Sequence, residues 1–156
     1  MSALITEKLA RLLSECDKHL LRMNSAKAKA EPFLPLTIER FESLSEDEVE
    51  HIDQFLFRFA KLQDAIGQRL FKLILSFLQE DIDALPFIDI LNRLEKLQLI
   101  ESAQQWQHLR EVRNEIAHQY EDQPQQATAA LNAIFSISSQ LEDIYQRLKQ
   151  VYSERL

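Results

Sequence analysis

The sequence predicts an all-α protein: an antiparallel, up-and-down bundle of four to five helices forming one domain over residues 1–156. Three observations predict it. Leu, Gln, Glu, Ala, Lys and Arg dominate the composition, and all are good helix formers. One glycine and four prolines are too few turn residues for the many hairpins of an all-β fold. Apolar residues recur at three- and four-residue steps through most of the chain. At 46% hydrophobic residues, a chain of this length can bury a real core.

The elements follow in order. Leu4, Leu9, Leu12, Leu13, Cys16, Leu20 and Met23 set a helical stripe, predicting a first helix from about Ser2 to Ala30. Glu31-Pro-Phe-Leu-Pro-Leu36 carries two close prolines and predicts an extended connection, with residues 31–45 as the one long loop. Ser45-Glu-Asp-Glu48 has the form of a capping box, with acidic residues suited to a helix start. It opens a long second helix to about Gln79. A third helix is expected from near Pro86 past Leu97, and a fourth from about Ser102 to His118. Asp122 and Pro124 resemble a cap and a first-turn proline. The fifth helix then carries Leu131, Ile134, Leu141, Ile144, Leu148 and Val151 to the end. Short connections between amphipathic helices favour antiparallel neighbours.

Composition also narrows the function classes. A single cysteine, Cys16, allows neither an internal disulfide nor a cysteine-based zinc site, and suits a reducing cytoplasmic setting. The first residues lack a basic run followed by an apolar stretch, so no signal peptide is expected. Phe71 to Leu78, the most apolar stretch, is far too short to span a bilayer, and no membrane association is expected. The net charge of -7 argues against an open basic surface for nucleic acid. Nucleic-acid chemistry on such a body requires a local cluster of positive charge.

The second helix holds an acid in an apolar stripe. Seven residues bring a helix back to within about 20° of its starting direction. Phe57, Asp64, Phe71 and Leu78 therefore share one row, beside a second row of Ala60, Gly67 and Ile74. If the stripe is inside the bundle, Asp64 needs a cationic or hydrogen-bonding partner, and Arg113 is a candidate. The alternative places Asp64 at the edge of the core, meeting water or Lys61. Gly67, the sole glycine, would permit close helix approach one turn away. The aromatic density from Phe55 to Phe59 covers more than one face and reads as burial on two sides, at a central helix or a dimer seam.

The most chemically pointed segment is Arg113-Asn-Glu-Ile-Ala-His118-Gln-Tyr120. A neutral imidazole can take a proton from a ribose 2′-hydroxyl near neutral pH. A guanidinium can grip a phosphate and stabilise charge building on its oxygens. Together they would cleave RNA by internal transesterification, leaving a 2′,3′-cyclic phosphate without a metal or other cofactor. Five residues separate Arg113 from His118, which is about 140° around a helix. To meet at one phosphate, the helix must loosen near Ala117, the arginine must reach around, or a symmetric dimer must bring two copies together.

This run resembles the Arg-x4-His-x-Tyr motif of the HEPN superfamily, in particular its HepT-like toxins. Asn114 is of the polar type usual after the motif arginine. Phe57 to Phe71 also resembles the second-helix region of that group. The resemblance implies a HEPN-like bundle that forms a homodimer, with paired motifs lining a cleft between subunits. It implies a metal-independent endoribonuclease acting as the toxin of a toxin–antitoxin pair, with RNA as substrate and a cognate MNT-type nucleotidyltransferase as antitoxin. In that group the partner can transfer AMP to the motif tyrosine, here Tyr120. Arg113 would then stabilise the scissile phosphate and His118 would act as general base or acid. Asn114 would orient one of them or the phosphate. Asp64 is our own addition, as a buried partner that orients Arg113.

Two rivals come from other classes. A di-iron carboxylate bundle would use Glu48/His51 and Glu115/His118 with further glutamates such as Glu15, Glu80 or Glu142, but Glu48 and His51 fall at a helix start. A non-catalytic binding or substrate-presenting subunit of a nucleotidyltransferase would use the same motif for nucleotide contact alone. Trp106 is expected in a bundle or subunit interface and Cys16 in the core.

Overall fold

Helix-forming segments of this length become stable by burying their apolar stripes against one another. The computed structural model describes residues 2–119 and 123–155, with backbone alone for 117–119. Helix α1 spans Ala3–Ala30, opened by the Ser2 hydroxyl accepting from the backbone of Leu4. It is followed by a 3₁₀ turn, Glu31–Phe33, and a short helix α2, Ile38–Glu42. Helix α3, Glu46–Ala65, runs without a break through a π turn, Ile66–Leu70, into α4, Phe71–Phe77. Helices α5, Phe87–Lys96, α6, Ala103–Gln119, and α7, Pro124–Glu154, complete the order.

The side-chain pairs between helices fix their directions. Tyr145 and Lys149 reach Asp17, whereas Glu142 meets Asn24 and Ser138 meets Lys27. Numbers rise on α1 as they fall on α7, so the two are antiparallel. The same holds between α1 and the α3–α4 segment, where Arg69 meets Glu15 and Arg58 meets His19. Asp64 with Arg113 and Gly67 with Trp106 make α3 and α6 antiparallel too. The described residues thus form an up-and-down bundle of long helices, with α5 packed on α4 and α6. Its core includes Leu9, Met23, Phe55, Phe59, Leu109 and Leu148, each fully buried.

The ends of the elements follow their chemistry. Ser45 and Glu48 make both bonds of the expected capping box. Pro124 occupies the first turn of α7, where its missing N–H costs nothing. The residue before α7 that serves as N-cap is Gln123, and Asp122 lies outside the described residues. Two expectations are corrected. The 31–45 connection is not one long loop, because Thr37 caps α2 by accepting from the backbone of Arg40. Asn132 of α7 ties that segment down, accepting from the Leu36 N–H and donating to the Leu36 carbonyl.

The second correction concerns the apolar rows of the second helix. Phe57 is 50% exposed while Phe71 is fully buried, although an α-helix would put them on one side. The π turn lies between them. It is closed by the Phe71 N–H donating to the carbonyl of Ile66, one residue further than in an α-helix. That extra residue rotates everything after it relative to everything before. Of the two settings expected for the aromatic cluster, a central helix does not hold within the chain, since Phe57 is half exposed beneath the cations of Arg58 and Lys61.

Candidate functional site

Helix α6 turns Trp106, Leu109, Val112 and Ile116 into the core by three- and four-residue steps. Arg113 falls between two of them, at the rim of the core. Its guanidinium meets the Asp64 carboxylate across the α3–α6 seam, with Nη2 donating to Oδ2 at 3.3 Å and Nη1 3.3 Å from Oδ1. The side chains are 33% and 38% exposed respectively. Asp64 is therefore not a buried partner; the π turn leaves it on the outer half of its helix. Both contacts are longer than the 2.7–2.9 Å usual for charge-assisted pairs. A partly exposed pair of this kind contributes little to stability and yields easily to a competing anion.

Asn114 is exposed. Helix α6 continues without interruption through Gln119, so its backbone does not loosen near Ala117. The side chain of His118, and Tyr120 altogether, lie outside the described residues. The structure thus brings Arg113 together with Asp64.

Next to Asp64 is a cavity of about 230 Å³ between α3, the π turn, α5 and α6. Gln63, Gly67, Phe87 and Trp106 line it, with Lys72 and Arg110 at its edges. Gly67 makes room for the indole: a Cβ there would stand 2.8 Å from Cζ2 of Trp106. Phe71, four residues on from Gly67, meets the indole edge-on at 4.7 Å between ring centroids. Arg110 lies over the Phe87 ring. Gln63 is 2% exposed and Trp106 1%. Neither amide atom of Gln63, nor Nε1 of Trp106, has a hydrogen-bond partner among the described residues.

Gln63 and Phe87 were missed in the sequence. A signal existed: Gln63 stands four residues after Phe59 and four before Gly67, a polar side chain in a row that otherwise packs. A second cavity, of about 440 Å³, shares Gln68 and Lys72 with the first and adds Lys8, Arg11 and Arg69. The two together gather five cations, Lys8, Arg11, Arg69, Lys72 and Arg110, beside the carboxylates of Glu15 and Asp64, on a chain whose net charge is -7.

The remaining titratable residues have structural surroundings. Arg58 Nη1 is 2.9 Å from His19 Nδ1, which makes that nitrogen the acceptor and leaves Nε2–H directed at Glu15. Burial holds the His19 pKa below its ordinary value of 6.5, against the opposing pull of Glu15. Arg69, hydrogen-bonded to Glu15, holds that carboxyl below its usual range. Burial pushes the Cys16 thiol up to about 12. Glu48 is occupied by Ser45 and Arg40, which lower its pKa. No cluster of three or more His, Cys, Asp or Glu suited to a metal is present among the described residues. No helix among them is long and apolar enough to cross a membrane.

No family model, curated protein or solved structure matches the chain.

Proposed function

We propose that the protein is a metal-independent endoribonuclease of the HepT-like toxin kind, acting through Arg113, His118 and Asn114. The observation that carries this reading is the Arg-x4-His-x-Tyr run, with its arginine held at the bundle rim by Asp64. His118 takes the proton from a ribose 2′-hydroxyl, and the 2′-oxygen attacks the adjacent phosphorus. The bond to the 5′-oxygen breaks, that oxygen is protonated as it leaves, and a 2′,3′-cyclic phosphate remains. Arg113 keeps an N–H on Asp64 and turns its remaining donors to the phosphate, whose charge grows during attack. Asn114 orients the phosphate or the imidazole. A homodimer supplies the second copy of the motif that the separation of Arg113 and His118 around α6 calls for.

The partner in this reading is a nucleotidyltransferase of the MNT type. It transfers AMP from ATP to the Tyr120 hydroxyl, releasing pyrophosphate. The bulky anion beside Arg113 then blocks RNA and competes for the guanidinium. The test is cleavage of single-stranded RNA by the purified protein in EDTA. Wild type is expected to give cyclic-phosphate ends, and Arg113→Ala and His118→Ala each to lose at least about 100-fold in rate. Absence of cleavage, with a stable nucleotidyltransferase complex, would assign the chain instead as that enzyme's binding or substrate-presenting subunit.

A further inference from the structure

We propose that the cavity between Gln63, Gly67, Phe87 and Trp106 is a nucleobase pocket, which seats one nucleotide of the RNA strand beside the phosphate held by Arg113. Its assignment to RNA rests on the nuclease reading; its assignment to a nucleobase does not. The inference begins with polar groups that have no partner. A buried amide left without hydrogen bonds is costly, and most buried polar groups are satisfied. Here three such atoms belong to two residues, Gln63 and Trp106, that line the same cavity. All three are closed off from solvent, the cavity included, so a base meets them as the Gln63 side chain and the indole turn toward the wall.

The chemistry of the walls narrows the occupant. The Gln63 amide offers a donor and an acceptor side by side, the pattern on the hydrogen-bonding edge of a base. Its terminal torsion is broad, so either atom can be presented at the wall. The Trp106 N–H adds a second donor. Phe87, only partly buried, supplies the aromatic wall within reach of a base, with the buried Trp106 beside it, and base–aromatic stacking is a sequence-tolerant source of affinity. About 230 Å³ accommodates a planar base and excludes a folded peptide. Lys72 and Arg110 at the edges are placed for the attached phosphate. From Lys72 the neighbouring cavity leads to Arg11 and Lys8, a cationic path for the strand beyond that nucleotide.

Position ties the pocket to the proposed chemistry. Asp64, which holds Arg113, also lines the cavity. A base seated against Gln63 therefore fixes which phosphodiester reaches the arginine. In this arrangement Gln63 is a specificity-determining residue and Gly67 is what keeps the pocket open, by letting the indole form its floor.

The single tryptophan of the chain reports on the pocket directly. The experiment is titration of Trp106 fluorescence with the four nucleoside 3′-monophosphates, inorganic phosphate and 2′-O-methyl RNA hexamers, which cannot be cleaved. At least one nucleotide is expected to give a saturable change, and to bind about tenfold more tightly than the poorest nucleotide and than phosphate alone. Gln63→Met, close to glutamine in shape but unable to pair, should abolish that preference and leave the fold as stable as wild type or more so. The exposed-residue variant Lys72→Ala should weaken all four nucleotides alike, by several-fold. No response to any nucleotide or hexamer, or an unchanged base preference in Gln63→Met, would overturn the pocket. Mononucleotide binding without hexamer binding would keep the nucleobase pocket and overturn RNA as its source. Nucleotide binding with base preference, in a protein that cuts no RNA, would uphold the pocket and defeat the nuclease reading. RNA cleavage whose sequence preference is untouched by Gln63→Met would do the reverse.

Discussion

Replacing Gly67 by alanine sets two effects of opposite sign against each other. In an ordinary helix interior Gly→Ala stabilises by up to about 1 kcal/mol, because glycine loses more backbone freedom on folding. Here the new methyl would stand 2.8 Å from Cζ2 of Trp106. Carbon atoms in good contact sit about 3.5–4.0 Å apart, so one side must retreat by roughly 0.7 Å or more. The indole is tightly packed except toward the cavity it lines. It is 1% exposed and meets Phe71 edge-on at 4.7 Å. Overpacking a site of this kind costs about 1–3 kcal/mol. The net expectation for Gly67→Ala is a loss of about 1–2 kcal/mol, or a fall of about 2–8 °C in Tm for a domain of this size. Urea and thermal denaturation read the two quantities, and the Trp106 emission maximum should move as the ring shifts. A variant as stable as wild type, or more stable, would show that the indole is not pinned and that the glycine is not there to make room for it.

Three further expectations rest on other parts of the molecule. Asp64→Asn should change stability by less than about 1 kcal/mol, because the pair with Arg113 is one-third exposed; RNA cleavage should nevertheless drop roughly 10- to 100-fold as the guanidinium loses its alignment, and undiminished cleavage would remove Asp64 from the site. Cys16 should resist alkylation at pH 8 in the folded protein and react on addition of denaturant, since burial raises its pKa to about 12 and shields the sulfur; rapid native labelling would contradict this placement. Because burial lowers the His19 pKa, the unfolded chain takes up a proton there before the folded one does. His19 thus contributes stability that is present above about pH 6.5 and lost as pH falls through its lowered folded value, and the depressed Glu15 carboxyl adds a further loss as pH falls below about 4.5. Chemical denaturation across pH 4–8 should show the first decline flattened in His19→Gln, and an identical profile in the variant would refute it.

Much of the fold was legible because helix periodicity and capping are local. Ser45 and Glu48 specify a helix start through bonds made within four residues, and the structure contains both. The apolar steps of α1 and α7 likewise identify their buried sides without reference to any partner. What the sequence hid depends on non-local contacts. Thr37 begins a short helix that gains support only when Asn132, 96 positions away from Leu36, binds that residue's backbone. The π turn has no compositional signature, so seven-residue counting across it grouped exposed Phe57 with buried Phe71. The pairing of Asp64 with Arg113 was anticipated from charge in a stripe, but counting across the π turn could not decide between a buried Asp64 and one at the edge of the core. Gln63 escaped notice because glutamine is an ordinary residue on a helix surface; only burial without a partner makes it conspicuous.

The π turn also makes the effect of a change in length depend on where along α3–α4 it falls. Deleting one residue from Ile66–Leu70 would return the segment to regular α geometry and keep the two halves in their present relation, because the wide turn already absorbs the extra residue. Deleting one residue from the regular helix on either side would instead swing one half against the other by roughly 100°, so that either Phe71 and Ile74 would leave the core or Asp64 would swing away from Arg113. A one-codon deletion at these five positions is therefore absorbed locally, whereas the same deletion a turn away would force a choice between a sound interior and an intact rim.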